Sequence, residues 1–199
     1  MSIRTWCAAF LVLISIANGA GAASAIIPAA PQLAAEGYLL IDAVTAQPLV
    51  EHNAEQRLPP ASLTKIMTSY VAAQELRRGT ISLDDEVEIS IKAWRMEGSR
   101  MFIREGTRVK LDQLLRGIIV QSGNDASVAV AEHIAGTEDG FADIMNQYAR
   151  QLGMDGTNFV NATGLPDENH FTTARDLGKL TTALINEFPA HYKIYSEKY

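Results

Sequence analysis

Between Arg57 and Glu75 the chain carries one charge, Lys65, and it falls inside an apolar, helix-like run. Leu63, Ile66, Met67, Tyr70 and Val71 recur with helical period, Pro59 and Pro60 end any extended segment before them, and Gly79 supplies a stop. Going round this helix, Thr64, Thr68 and Glu75 make the side predicted to stay wet. Lys65 lies away from them, beside Ser62, Ser69 and Ala72. Lysine is almost never fully buried unless paired, and burial disfavours its charged form. Ser62, three residues earlier, shares its face one turn away. A neutral amine beside a hydroxyl is a general base for it, and a helix start offers free N–H groups where an oxyanion can develop. On spacing alone, a lysine that snorkels its head to solvent explains the pattern equally well.

The surrounding elements set the fold class. "YLLIDAVT" (38–45) and "PLVEH" (48–52) read as a hairpin, and "VEISI" (87–91) as a short strand. "LDQLLRGIIV" (111–120), "DASVAVAEHIA" (125–135) and "GFADIMNQYARQLG" (140–153) read as helices. "NFVNATGLPDENH" (158–170) is turn-rich, and "TARD" (173–176) is a capping-box pattern opening a helix to about Glu187. Strands followed mainly by helices give an α+β chain with a helical subdomain and a sheet only partly present.

A second motif lies about sixty residues beyond the first. "QSGN" (121–124) places a hydroxyl, Ser122, and an amide, Asn124, in a tight turn between two apolar helices. Alone it is better explained as a glycine turn in which Asn124 or Asp125 caps the next helix. Ser-x-x-Lys followed by Ser-Gly-Asn in this order is much more specific.

Together with "GYLLIDAVTAQPLVEHNAEQRLPPASLTKIMTSYV" (37–71), "LLRGIIVQSGNDASVAVAEHIAG" (114–136) and "FTTARDLGKL" (171–180), these motifs resemble the low-molecular-mass penicillin-binding proteins, the serine-type D-alanyl-D-alanine carboxypeptidases. The resemblance covers nearly the whole chain beyond its first 25 residues. It implies a β-lactamase/transpeptidase-like fold, with an antiparallel sheet, helices and a mostly helical subdomain. It implies Ser62 as nucleophile on the carbonyl between the two terminal D-alanines of a peptidoglycan stem peptide, Lys65 as its base, and Ser122 as proton relay to the departing D-alanine. Asn124 would hydrogen-bond the substrate backbone and steady Lys65, and the Ser62 N–H would be half of an oxyanion hole. β-Lactam antibiotics would leave Ser62 acylated.

The family's third motif, Lys-Thr-Gly, is missing: none of Lys65, Lys92, Lys110, Lys179, Lys193 and Lys198 is followed by Thr-Gly or Ser-Gly. By resemblance, residues 26–199 are therefore a partial catalytic domain lacking its C-terminal strands. Peripheral membrane association would come from a C-terminal segment outside this sequence. A class A β-lactamase is disfavoured, since no Glu-x-x-x-Asn occurs. A D,D-endopeptidase with the same machinery remains an alternative. So does a non-catalytic peptidoglycan-binding or regulatory protein, should Tyr199 be the native C-terminus.

The first residues bear on location. Arg4, the apolar "CAAFLVLISIA" (7–17) and the small-residue "NGAGAASA" (18–25) have the order of a secretory signal peptide, cleaved after Ala22 or Ala25. Its apolar run falls short of the roughly 20 residues that span a bilayer. The expected location is the bacterial periplasm or envelope, the bacterial part resting on the resemblance. Cys7, the sole cysteine, leaves with the signal, so no disulfide is expected. The whole chain has a net charge of −6, and losing Arg4 makes it −7, which does not favour nucleic acid. A local exception, residues 92–110 with six basic and two acidic side chains, reads as a solvated loop face or, less well, as a surface for an anionic polymer. His52, His133, His170 and His191 are scattered without metal-ligand spacing, and no phosphate loop or dinucleotide fingerprint occurs, so neither metal nor cofactor is expected.

Overall fold

The computed structural model describes residues 33–198; the predicted signal peptide lies outside the described residues. Strands β1 (Tyr38–Ile41) and β2 (Pro48–His52) form the expected hairpin, paired antiparallel with Tyr38 opposite His52 and a bulge after Leu40. The first strand is shorter than its β-rich sequence because Asp42 turns the chain. Its Oδ1 accepts hydrogen bonds from the Val44 and Thr45 N–H groups and the Thr45 hydroxyl.

Helix α1 (Thr64–Arg78) ends at Gly79, which takes the left-handed conformation at φ 74°. It has no wet side. Thr64 and Thr68 are fully buried and Glu75 nearly so, which corrects the expectation that they mark a solvent face. Each finds a partner instead: Thr64 bonds His170, Thr68 donates to the Ala162 carbonyl, and Glu75 takes hydrogen bonds from Arg78, Thr80 and Tyr148. Lys65 is buried, as expected, but because the helix is enclosed all round as far as Glu75.

Strands β3 (Glu86–Glu88) and β4 (Arg108–Lys110) make a second antiparallel ribbon, separate from the hairpin. The strand expected over 87–91 stops early because Ser90 caps a short helix, α2 (Ile91–Trp94), its Oγ accepting from the Ala93 N–H. Helices α3 (Leu111–Gln121), α4 (Asn124–Ala135) and α5 (Glu138–Gln151) follow. The first eight residues of α4 are all buried, and its alanines, valines and serine let α3 and α5 approach closely.

Helix α6 (Ala174–Glu187) starts at Thr173, whose Oγ1 accepts from the Asp176 N–H. Only half of the predicted capping box forms. The Asp176 carboxylate turns inward, to the Gly156 N–H, Thr157 Oγ1 and Lys179 Nζ. A short α7 (Pro189–Tyr192) and a final 3-10 turn (Lys193–Ser196) close over α1, where Ser69 meets His191 at 2.6 Å.

Two apolar clusters organise these elements. One joins Met67, Tyr70 and Val71 of α1 with α5, α6 and the loop after α5; the other joins Ala72 with β3, α3 and α4. Helix α1 runs along the seam between them.

Candidate active site

Ser62 sits two residues before α1, in a 3-10 turn over Ala61–Leu63 that enters the helix at Thr64. The turn is anchored through Leu58, which exchanges backbone hydrogen bonds of 2.8 and 3.0 Å with Thr172 just before α6. Ala61 holds a left-handed φ of 47°, uncommon for a residue with a Cβ. Ser62 itself is exposed, at the open end of the helix where the first N–H groups have no intrahelical acceptor.

Lys65 leaves only 5% of its surface exposed. Its Nζ donates to Asn124 Oδ1 and to the Thr163 carbonyl, both at 2.7 Å. Burial pushes its pKa down from 10.5 to about 8. Two acceptors use both N–H groups of a neutral amine, which leaves one tetrahedral position for a lone pair. The same position carries the third N–H when the group is an ammonium. The arrangement can therefore take up a proton from that one direction.

Asn124 is the first residue of α4, not its cap; the cap position belongs to Gly123. Its side chain is stretched between two partners, accepting from Lys65 and donating from Nδ2 to the Glu97 carbonyl at 2.6 Å. Its backbone N–H donates to the Ser99 carbonyl at 2.7 Å. Among the described residues the second Nδ2 N–H has no acceptor, so it can serve another. Next to it, Asp125 is fully buried and accepts from the N–H groups of Met101, Ile103 and Ala126. It turns no helix cap outward; it fixes the 99–103 loop against the start of α4. Ser122 ends α3 in a left-handed conformation, φ 58°, and its buried Oγ has no hydrogen-bond partner among the described residues. Buried hydroxyls are usually satisfied, so one left bare beside Asn124 calls for an explanation.

Nothing local in the turn-rich 158–170 segment announces what it does in the fold. Asn158 and Phe171 pair through backbone hydrogen bonds of 2.8 and 3.0 Å, closing it into a loop. Inside it, Asn161 Oδ1 accepts from Thr163 N, Thr163 Oγ1 and Gly164 N, which aims the Thr163 carbonyl at Lys65. Glu138 Oε1 accepts the Ala162 N–H, and Thr68 holds the Ala162 carbonyl. Gly164, at φ 86°, lies so close to the turn before Ser62 that a Cβ there would fall 1.8 Å from the Ala61 oxygen. "NATG" carried the signal of a tight turn, but nothing in it points to a lysine about a hundred residues earlier.

Residues 24–199 match the protein family described as D-alanyl-D-alanine carboxypeptidase. The chain belongs to that family. It is 44% identical to the D-alanyl-D-alanine carboxypeptidase DacA of Escherichia coli over 179 residues, 87% of this chain and 44% of that protein. Among solved structures it resembles the carboxypeptidase DacD of Francisella tularensis, at 41% identity and a TM-score of 0.84 over 93% of this chain and 45% of that one. It also resembles penicillin binding protein 5 of Haemophilus influenzae, at 44% identity and a TM-score of 0.83 over 85% of this chain and 50% of that one. The fold is thus α+β and β-lactamase-like, as the resemblance implied. The chain spans about half the length of the carboxypeptidases it matches.

Proposed function

We propose that this chain carries the acylation machinery of a serine D,D-carboxypeptidase that removes the terminal D-alanine from peptidoglycan stem peptides. The observation that carries the reading is the buried Lys65 amine, held by two acceptors at 2.7 Å at the start of the helix that Ser62 precedes. Ser62 Oγ attacks the carbonyl between the two D-alanines while its proton passes to the Lys65 lone pair. The Ser62 backbone N–H would supply half of the oxyanion hole; removing one such donor typically costs about 10²–10³ in rate. Ser122, whose hydroxyl has no other partner among the described residues, takes that proton from Lys65 and passes its own to the departing amine as the peptide bond breaks. Asn124 holds Lys65 with its oxygen and offers its remaining N–H to the substrate backbone. Water then cleaves the Ser62 ester, releasing the shortened peptide and restoring the hydroxyl.

β-Lactams fit the same site as acylating mimics of the substrate. The signal-like order of residues 1–25 supports an envelope location for this activity, where peptidoglycan lies. Among the described residues no helix is long and apolar enough to cross a membrane; a peripheral contact with the inner membrane would come through a C-terminal segment outside this sequence.

The test is fluorescent-penicillin labelling of the protein at its native length, alongside Ser62→Ala, with free D-alanine measured from a peptide ending in D-Ala-D-Ala. Label and D-alanine that both vanish in Ser62→Ala support the reading. A native product that takes no Ser62-dependent label overturns it and favours a non-catalytic wall-binding role. Cleavage of cross-linked dimers without release of terminal D-alanine would assign the machinery to an endopeptidase.

A further inference from the structure

His170 lies outside the Ser62–Lys65–Ser122–Asn124 set, yet it is only 3% exposed and both its ring nitrogens are used. Nδ1 accepts the Val160 N–H at 3.1 Å, so in this arrangement the ring proton belongs on Nε2. That nitrogen meets Thr64 Oγ1 at 2.8 Å. Thr64 is fully buried, is the first residue of α1, and directly precedes Lys65. The imidazole is packed edge-on against Phe159, with ring centroids 5.7 Å apart. A single neutral imidazole thus ties the loop that supplies the Thr163 carbonyl to the helix that supplies Lys65.

We propose that His170 is a positioning residue for Lys65, holding the 158–170 loop against the start of α1 so that the amine stays desolvated between Asn124 and Thr163. The inference rests on the acylation role given to Lys65 above, although the link from loop to helix exists whatever the reaction. One bond depends on the neutral ring, the one that Nδ1 accepts from the Val160 N–H; Nε2–H can donate to Thr64 Oγ1 in either state. Adding a proton at Nδ1 would set an N–H against the Val160 N–H and break the loop side of the link. Burial disfavours that proton, and the carboxylate of Asp167 opposes burial by a smaller amount. The link is therefore expected to hold at neutral pH and to loosen on the acid side.

Three variants of the native-length protein separate positioning from simple packing. His170→Phe keeps a ring beside Phe159 and removes both hydrogen bonds. His170→Gln offers a donor and an acceptor without a titrating proton. Thr64→Val keeps the shape at α1 and removes the hydroxyl, and serves if His170→Phe does not fold. The readouts are the titration midpoint of the Lys65 ε-carbon by NMR and the second-order rate of penicillin acylation against pH. In His170→Phe or Thr64→Val the Lys65 midpoint should rise from about 8 toward 10.5 as water reaches the amine. Each unit of rise lowers the neutral fraction at pH 7, and with it acylation, about tenfold. His170→Gln should restore most of both. A Lys65 midpoint and acylation profile unchanged in folded His170→Phe and Thr64→Val, with only the melting temperature lowered, would overturn the proposal. Should the wild-type protein take no penicillin at all, the functional reading fails, while the Lys65 midpoint still decides the role of His170.

Discussion

Ala61 spends backbone strain one residue before Ser62, at φ 47°, and its carbonyl presses on the bare Cα of Gly164. Left-handed conformations cost a residue with a Cβ about 1 kcal/mol, and such strain clusters where geometry must be held. Ala61→Gly should therefore raise the unfolding free energy by up to about 1 kcal/mol in a urea titration while slowing acylation of Ser62. Gly164→Ala should do the reverse of stabilising. Its methyl cannot fit 1.8 Å from a carbonyl, so a loss of about 2 kcal/mol or more is expected, with acylation lost as the turn shifts. Lys65 sets the pH dependence. It is held near pKa 8 by burial and acts as a neutral base, so acylation should climb as pH rises through about 8 and level off above it. A stopped-flow acylation profile flat from pH 6 to 10 would contradict the role given to Lys65.

At the scale of single elements, side chains far apart in sequence decide where helices begin and what they hold. Thr173→Ala removes the cap of α6 and should cost about 1 kcal/mol, measurable by thermal denaturation. Asp125→Ala should cost more, about 2–4 kcal/mol, because it frees the Met101 and Ile103 N–H groups and leaves them without an acceptor. It should also weaken penicillin acylation, since that loop supplies the Ser99 carbonyl, and the residues leading into it the Glu97 carbonyl, that hold Asn124. The boundaries of α1 and α6 and the existence of the hairpin were legible because prolines, Gly79, Thr173 and alternating residues state them locally, although β1 ends at Ile41, short of the expected Thr45. The ribbon of β3 with β4 was half legible: Val87 alternates with acids, but Arg108–Lys110 lies inside a cationic stretch with no strand pattern. Ser62, Lys65, Ser122 and Asn124 were legible as two motifs. The carbonyls of Thr163 and Glu97 were not, because any residue type supplies a backbone oxygen. Thr64, Thr68 and Glu75 misled because polar residues on a helix usually mark solvent, and here each is satisfied by a partner that only the fold brings near.

Across the whole molecule, protection should follow distance from the seam between the two apolar clusters. Amide hydrogen exchange should be slowest in α1 and α4 and fastest in the β1–β2 hairpin, where Leu40 and Leu49 remain largely exposed. Fast exchange in α1 with slow exchange in the hairpin would place the stability elsewhere. The enclosure of α1 has a further consequence, for how the chain folds. A helix with its polar residues turned inward has little reason to persist by itself, since neither its threonines nor Lys65 find partners until α4 and the 158–170 loop arrive. The lysine that the proposed chemistry needs is thus among the last side chains to be satisfied. The reactive geometry and the cooperative step of folding would then be one event, so a chain stalled halfway would carry its nucleophile without its base.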